Sequence, residues 1–236
     1  GELAVVHVKN RDEKDSFVNS AKPDLSTIMF HECIKTGWDF KEGAWYYLDN
    51  DGNKTIGWQY IDGSRYYMGA DGAMTTGWQY IDDHWYYMNN NGLMTTGWQY
   101  INGKWYYMDE DGIMTAGLKK INGIQYYFND NGVMTTGWQY LNGLWYYMDN
   151  NGAVTTGWQH IDGAWYYMDD YGIMTTGERE INGAWYYFDD SGEMATGWRY
   201  NSLSGDWYYM NESGVIVHGW QRINNLWYYF AADGTM

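Results

Sequence analysis

Between Gly37 and Met236 the chain alternates short aromatic segments with short polar ones, on a period of about twenty residues. Residues 77–96 are representative: Trp78-Gln79-Tyr80-Ile81 and Trp85-Tyr86-Tyr87-Met88 are aromatic-rich and alternate in character, the pattern of half-buried β-strands. In most copies the residues between the two segments are Asn-Gly or Asp-Gly: Asp62-Gly63, Asn102-Gly103, Asn122-Gly123, Asn142-Gly143, Asp162-Gly163 and Asn182-Gly183. These pairs suit a type I′ turn, which needs positive φ at both central residues, so each unit predicts a hairpin. A polar loop ending in Gly follows the second strand, as in Asn50-Asp51-Gly52 or Asp130-Asn131-Gly132.

A two-residue turn fixes the register. It places Tyr67 opposite Trp58 and Arg65 opposite Tyr60, with these four on one face. Gln59, Ile61, Tyr66 and Met68 share the other, so Tyr66 and its equivalents Tyr86 and Tyr106 are expected in the core. The units begin at Gly37, Gly57, Gly77, Gly97, Gly117, Gly137, Gly157, Gly177, Gly197 and Gly219. All 16 Trp and all 26 Tyr lie within them. A lone hairpin is marginal in water, and self-similarity at this period means stacked units that bury their faces on one another. The expected fold is therefore all-β, a solenoid of ten stacked β-hairpins over residues 37–236. The ninth unit lengthens its turn with Asn201-Ser202-Leu203-Ser204-Gly205-Asp206, which costs little at a solenoid tip. Residues 1–36 form either an N-terminal capping segment or the tail of an upstream domain.

Composition removes several function classes. A formal charge of −16 argues against nucleic acid as a partner and favours attraction of cations. No apolar run is long enough for a spanning helix, and the chain from Gly1 reads as a mature chain or a fragment. Cys33 is the sole cysteine, so an internal disulfide is impossible. Loops such as Asp49-Asn50-Asp51-Gly52 and Asp109-Glu110-Asp111-Gly112 lack the calcium-loop spacing, since Tyr47 stands five residues before Gly52; turn chemistry accounts for their Asp and Asn. His31-Glu32-Cys33 is too short for a metal or catalytic centre, and His84, His160 and His218 read as solvated. No catalytic residue, cofactor or metal ligand is assigned.

The units resemble the cell-wall-binding repeats of the choline-binding family, found in surface proteins, wall hydrolases and phage lysins of Gram-positive bacteria. The likeness rests on the Gly-Trp start, the Trp-Tyr-Tyr seven residues after the first Trp, and the loop Gly that precedes the next unit. It implies a left-handed superhelix of about three hairpins per turn. It also implies choline sites between consecutive hairpins, each built from two Trp, one Tyr and often a Met. A quaternary ammonium cannot donate a hydrogen bond, so its site must surround it with π faces, each contributing roughly 0.5–2 kcal/mol.

Carried onto this chain, the resemblance implies cages of Trp78, Trp85 and Tyr107 with Met94, and of Trp98, Trp105 and Tyr127 with Met114. Further cages are Trp158, Trp165 and Tyr187 with Met174; Trp138, Trp145 and Tyr167 with Val154 at the Met position; and Trp198, Trp207 and Tyr229 with Ile216. The last is expected to be weaker, and Lys54 would repel a cation from Trp38, Trp45 and Tyr67. Arg65, Leu118 with Gln125, and Glu178 damage the second, fifth and eighth units. At three hairpins per turn, those units would line one side of the rod without choline sites.

The function so implied is a non-catalytic, secreted module at the cell wall that binds choline of teichoic or lipoteichoic acid. The alternatives are a carbohydrate-binding array of the glucan or toxin type, and the targeting part of a wall hydrolase.

Overall fold

The computed structural model describes residues 34–202 and 204–236. The segment expected to cap the array or to end an upstream domain, including His31-Glu32-Cys33, lies outside the described residues except at 34–36. Among the described residues, twenty strands of five residues each pair into ten separate two-stranded antiparallel sheets, from Gly37–Lys41 with Ala44–Leu48 to Gly219–Ile223 with Leu226–Phe230. The fold is the all-β hairpin solenoid that the repeat implies.

Register follows from the turn. Trp58 pairs with Tyr67 and Tyr60 with Arg65, and the same offsets recur in every hairpin but the ninth. Asp62 and Gly63 have φ of 48° and 80°, so the central residues adopt the left-handed conformation a type I′ turn requires. In the third unit both residues are Asp, with Asp82 and Asp83 at φ 48° and 64°. The ninth unit accommodates its longer turn without losing pairing, since Trp198 still faces Tyr209 and Tyr200 still faces Trp207.

The core is a thin column. Met68, Met88, Met108, Phe128, Met148, Met168, Phe188 and Phe230 end the second strands and are fully buried. Ile61, Ile81, Ile101 and their equivalents at the ends of the first strands pack with them. No hairpin shares a sheet with another, so the stack is held by side chains and by isolated backbone bonds that cross between units. In each such bond, the amide of the residue two after a loop Gly donates to the preceding unit: Met74 N to Trp45 O at 2.7 Å, Met134 N to Trp105 O at 2.8 Å.

Loop acids and amides serve the turns. Asp109 Oδ1 accepts from Asp111 N at 3.0 Å and Ile113 N at 2.8 Å, and Asn89, Asp149 and Asp169 do the same. Side chains that would otherwise repel one another thus satisfy backbone donors. Gly92 permits the next layer to close: a Cβ there would lie 2.3 Å from Met74 Sδ.

Candidate ligand cages between successive hairpins

Three aromatic rings meet at each intact junction. The two Trp of one unit stand with centroids 6.1–6.2 Å apart and planes at 84–89°, in the pairs Trp38–Trp45, Trp78–Trp85, Trp98–Trp105, Trp138–Trp145, Trp158–Trp165 and Trp198–Trp207. The next unit supplies a third wall to the first Trp of each pair. It is Tyr66, Tyr106, Tyr126, Tyr166, Tyr186 or Tyr228, 4.8–4.9 Å away at 63–74°.

A thioether closes the box. Trp38, Trp45, Tyr66 and Met74 line a groove of about 370 Å³, with Asn90 and Asn91 of the third unit at its mouth. Trp98, Trp105, Tyr126 and Met134 line one of about 420 Å³, and Trp158, Trp165, Tyr186 and Met194 one of about 450 Å³. Residues from three successive units therefore build one groove. The second Trp keeps an open face; Trp105 is 43% exposed.

This grouping corrects the one expected from the sequence. Tyr107, Tyr127, Tyr167, Tyr187 and Tyr229 do not complete the preceding unit's cage. Each faces the Trp position of its own hairpin, as Tyr107 faces Trp98 and Tyr167 faces Trp158, at 5.3 and 5.2 Å. Tyr127 faces Leu118, Tyr187 faces Glu178 and Tyr229 faces Trp220. Tyr187 is also covered by the Arg199 guanidinium, 3.4 Å from its ring centre, and Arg199 Nη2 donates to its hydroxyl. Strand alternation sends the neighbouring Tyr to the opposite face, and that face abuts the preceding unit. Tyr66 and Tyr106, expected as core, are thus half-buried walls of a groove, whereas their equivalents Tyr146 and Tyr166 are buried as expected, Tyr166 against Ile161 and Met168.

The methionines shift by one unit for a related reason. Met94 donates its amide to Arg65 O and Met114 to Trp85 O, so Met114, not Met94, accompanies Trp78 and Trp85. Met134 rather than Met114 joins Trp98 and Trp105, while Met174 serves Trp138 and Trp145 in place of Val154. For Trp198 and Trp207 the partner is Met236, whose amide bonds Trp207 O at 2.9 Å, and not Ile216. Their ring geometry equals that of the other pairs despite the longer turn. Lys54 likewise belongs elsewhere. Its ammonium sits 3.5 Å over the Tyr46 ring and leaves the Trp38 groove free of a fixed cation.

Sequence reasoning overlooked a second support. Phe40, Tyr80, Tyr100, Tyr140, His160 and Tyr200 stand opposite the second Trp of their hairpins, with ring centroids 4.9–5.2 Å away. His160 is thus exposed yet stacked on Trp165. The hairpin register was the signal that could have found these braces.

Electrostatics favours a cation. Burial raises the pKa of Tyr166, aided by the Glu193 carboxylate, which accepts from its hydroxyl at 3.2 Å. Burial likewise raises Tyr86, with Asp82 and Asp109 adding to it, and Tyr208, with Glu178 adding to it. These three phenols therefore stay neutral, and the negative charge around them comes from nearby carboxylates.

The profile of the choline-binding repeat matches residues 55–96, 75–115, 115–156 and 175–218. That of a putative cell wall binding repeat matches 36–54, 156–174 and 218–236. The chain belongs to the choline-binding repeat family. A search of curated proteins finds no match. Among solved structures, this array of choline-binding repeats is similar to CbpJ of Streptococcus pneumoniae, with 30% identity over 84% of this chain and 94% of that one, TM-score 0.61. Choline binding protein F of the same organism is 30% identical over 85% of this chain and 93% of its own, TM-score 0.58. The modular autolysin LytC, also from that organism, is 28% identical over 84% of this chain but only 48% of the autolysin, TM-score 0.58.

Proposed function

We propose that this array is a non-catalytic anchoring module of a secreted, surface-held protein, and that its six intact cages take the choline groups of teichoic or lipoteichoic acid. One observation carries the reading: two Trp of one unit and one Tyr of the next meet at six junctions, with ring planes nearly perpendicular between the Trp pair, and Met74, Met134 and Met194 line three of these grooves. A trimethylammonium presents methyl groups in several directions and no donor, so it is matched by walls of π density and a polarisable sulfur. Several weak sites on one rod gain avidity, because each binding event after the first is intramolecular. Membership of the choline-binding repeat family supports the ligand, and likeness to part of a modular autolysin supports a role in holding a linked domain at the wall.

Elution from a quaternary-amine resin tests the reading. Free choline is expected to release the protein where equal ionic strength of sodium chloride does not. Release by salt alone, or retention on dextran with none on the amine resin, would favour ion exchange or a glycan ligand instead.

A further inference from the structure

The groove at the second unit differs chemically from the six cages. Arg65 stands where a second Trp would be, so Trp58 and Tyr86, 4.9 Å apart, meet a guanidinium rather than a third ring. The ion pairs among the described residues are Lys35–Asp39 and Lys41–Glu42, which leaves Arg65 exposed and without a carboxylate partner within 4.0 Å.

The guanidinium borders two spaces. On one side, with Trp58 and Tyr86, lies Asp111. On the other is a groove of about 610 Å³ whose lining includes Tyr60, Ser64, Asn89, Thr96 and Gln99, and no carboxylate. The cage grooves at Trp38 and Trp98 are likewise free of carboxylates, but neither holds a cationic side chain. Asn89 Oδ1 already accepts from Asn91 N and Leu93 N, so the part of its side chain left for a ligand is the donating amide. Gln99 is held by its bond to Thr96 O at 2.9 Å. Tyr60, 75% exposed, offers a flat face to a sugar or polyol. The space combines one unpaired cation, neutral donors and a stacking surface.

We propose that the Arg65 groove binds a phosphodiester unit of the wall polymer itself. This rests on the choline reading of the cages, because a teichoic acid is a polymer of polyol or sugar phosphates. Guanidinium pairs with phosphate bidentately, and Asp111 directs the anion to the acid-free side. The built-in cation also keeps choline out of this junction.

The test uses the full chain and a choline-free glycerol phosphate trimer, at about 0.15 M salt so that the overall negative charge is screened beyond about 8 Å. NMR follows the Arg65 Nε–Hε signal and the Met methyls while choline and the trimer are titrated separately. The trimer is expected to shift the Arg65 signal, and Arg65→Gln should weaken trimer binding about ten-fold, as loss of a charge-assisted contact does. Choline titration of the Met74 and Met114 methyls should not change in that variant. Arg65→Trp should abolish trimer binding and make the Met94 methyl respond to choline as a seventh site.

An unmoved Arg65 signal, or equal trimer affinity in Arg65→Gln, would overturn the proposal. Inorganic phosphate binding as tightly as the trimer would overturn its polymer part and leave a plain anion site. A choline response missing from every Met methyl, beside an intact trimer response, would instead overturn the choline reading of the cages.

Discussion

Replacing Tyr126 with Leu should weaken choline at one cage only, and replacing Tyr127 should not. Tyr126 forms the third wall beside Trp98, 4.9 Å away, whereas Tyr127 faces Leu118 within its own hairpin. Leucine keeps apolar volume but removes the π face, whose attraction for the cation is about 0.5–2 kcal/mol, or roughly a 2- to 30-fold loss of affinity. The Trp98–Trp105 pair at 6.1 Å remains, so binding should persist in weakened form. With 14 methionines in the chain and one at each cage, methyl-labelled Met gives a site-by-site titration. The Met134 methyl reports on this cage, and the Met74 methyl on the first cage is an internal control. Equal losses in Tyr126→Leu and Tyr127→Leu, or a loss reported by Met114 in place of Met134, would refute the assignment.

Three other outcomes follow from packing and charge. Gly92→Ala should cost about 1–3 kcal/mol in urea unfolding, because the residue sits at φ 76° and the new methyl would meet Met74 Sδ; an unchanged midpoint would contradict the close approach. Asp83→Gly should stabilise the chain by about 0.5–1 kcal/mol, since an L-residue at φ 64° is strained and the bond it gives up, from Tyr80 Oη at 3.3 Å, is long. Burial, then nearby carboxylates, raise Tyr86, Tyr166 and Tyr208 above the ordinary value of about 10, so the folded state holds their protons more tightly than the unfolded chain. Their contribution to stability should be complete below about pH 10 and be lost as pH rises through the higher folded values, as near-UV tyrosinate absorbance and circular dichroism can follow; alkaline unfolding centred below pH 10 would refute it.

Local chemistry made much of this molecule readable in advance. Asp62-Gly63 and its equivalents specify a type I′ turn, the turn specifies the register, and the register places Trp58 opposite Tyr67. Those steps involve neighbours a few residues apart, so the sequence determined the hairpins, their number and the strand faces. It also marked the units where Arg65, Gln125 and Glu178 interrupt the pattern. Which Tyr and which Met complete each cage was a different kind of question. Alternation gives two faces per hairpin but does not say which one meets the preceding unit, and a repeat offers an equivalent Met in every copy. Only the stack decided it, through Tyr126 against Trp98 and the bond from Met134 N to Trp105 O. Identical units give identical local signals, so the choice between one copy and the next lies in contacts between units, which a twenty-residue pattern does not contain.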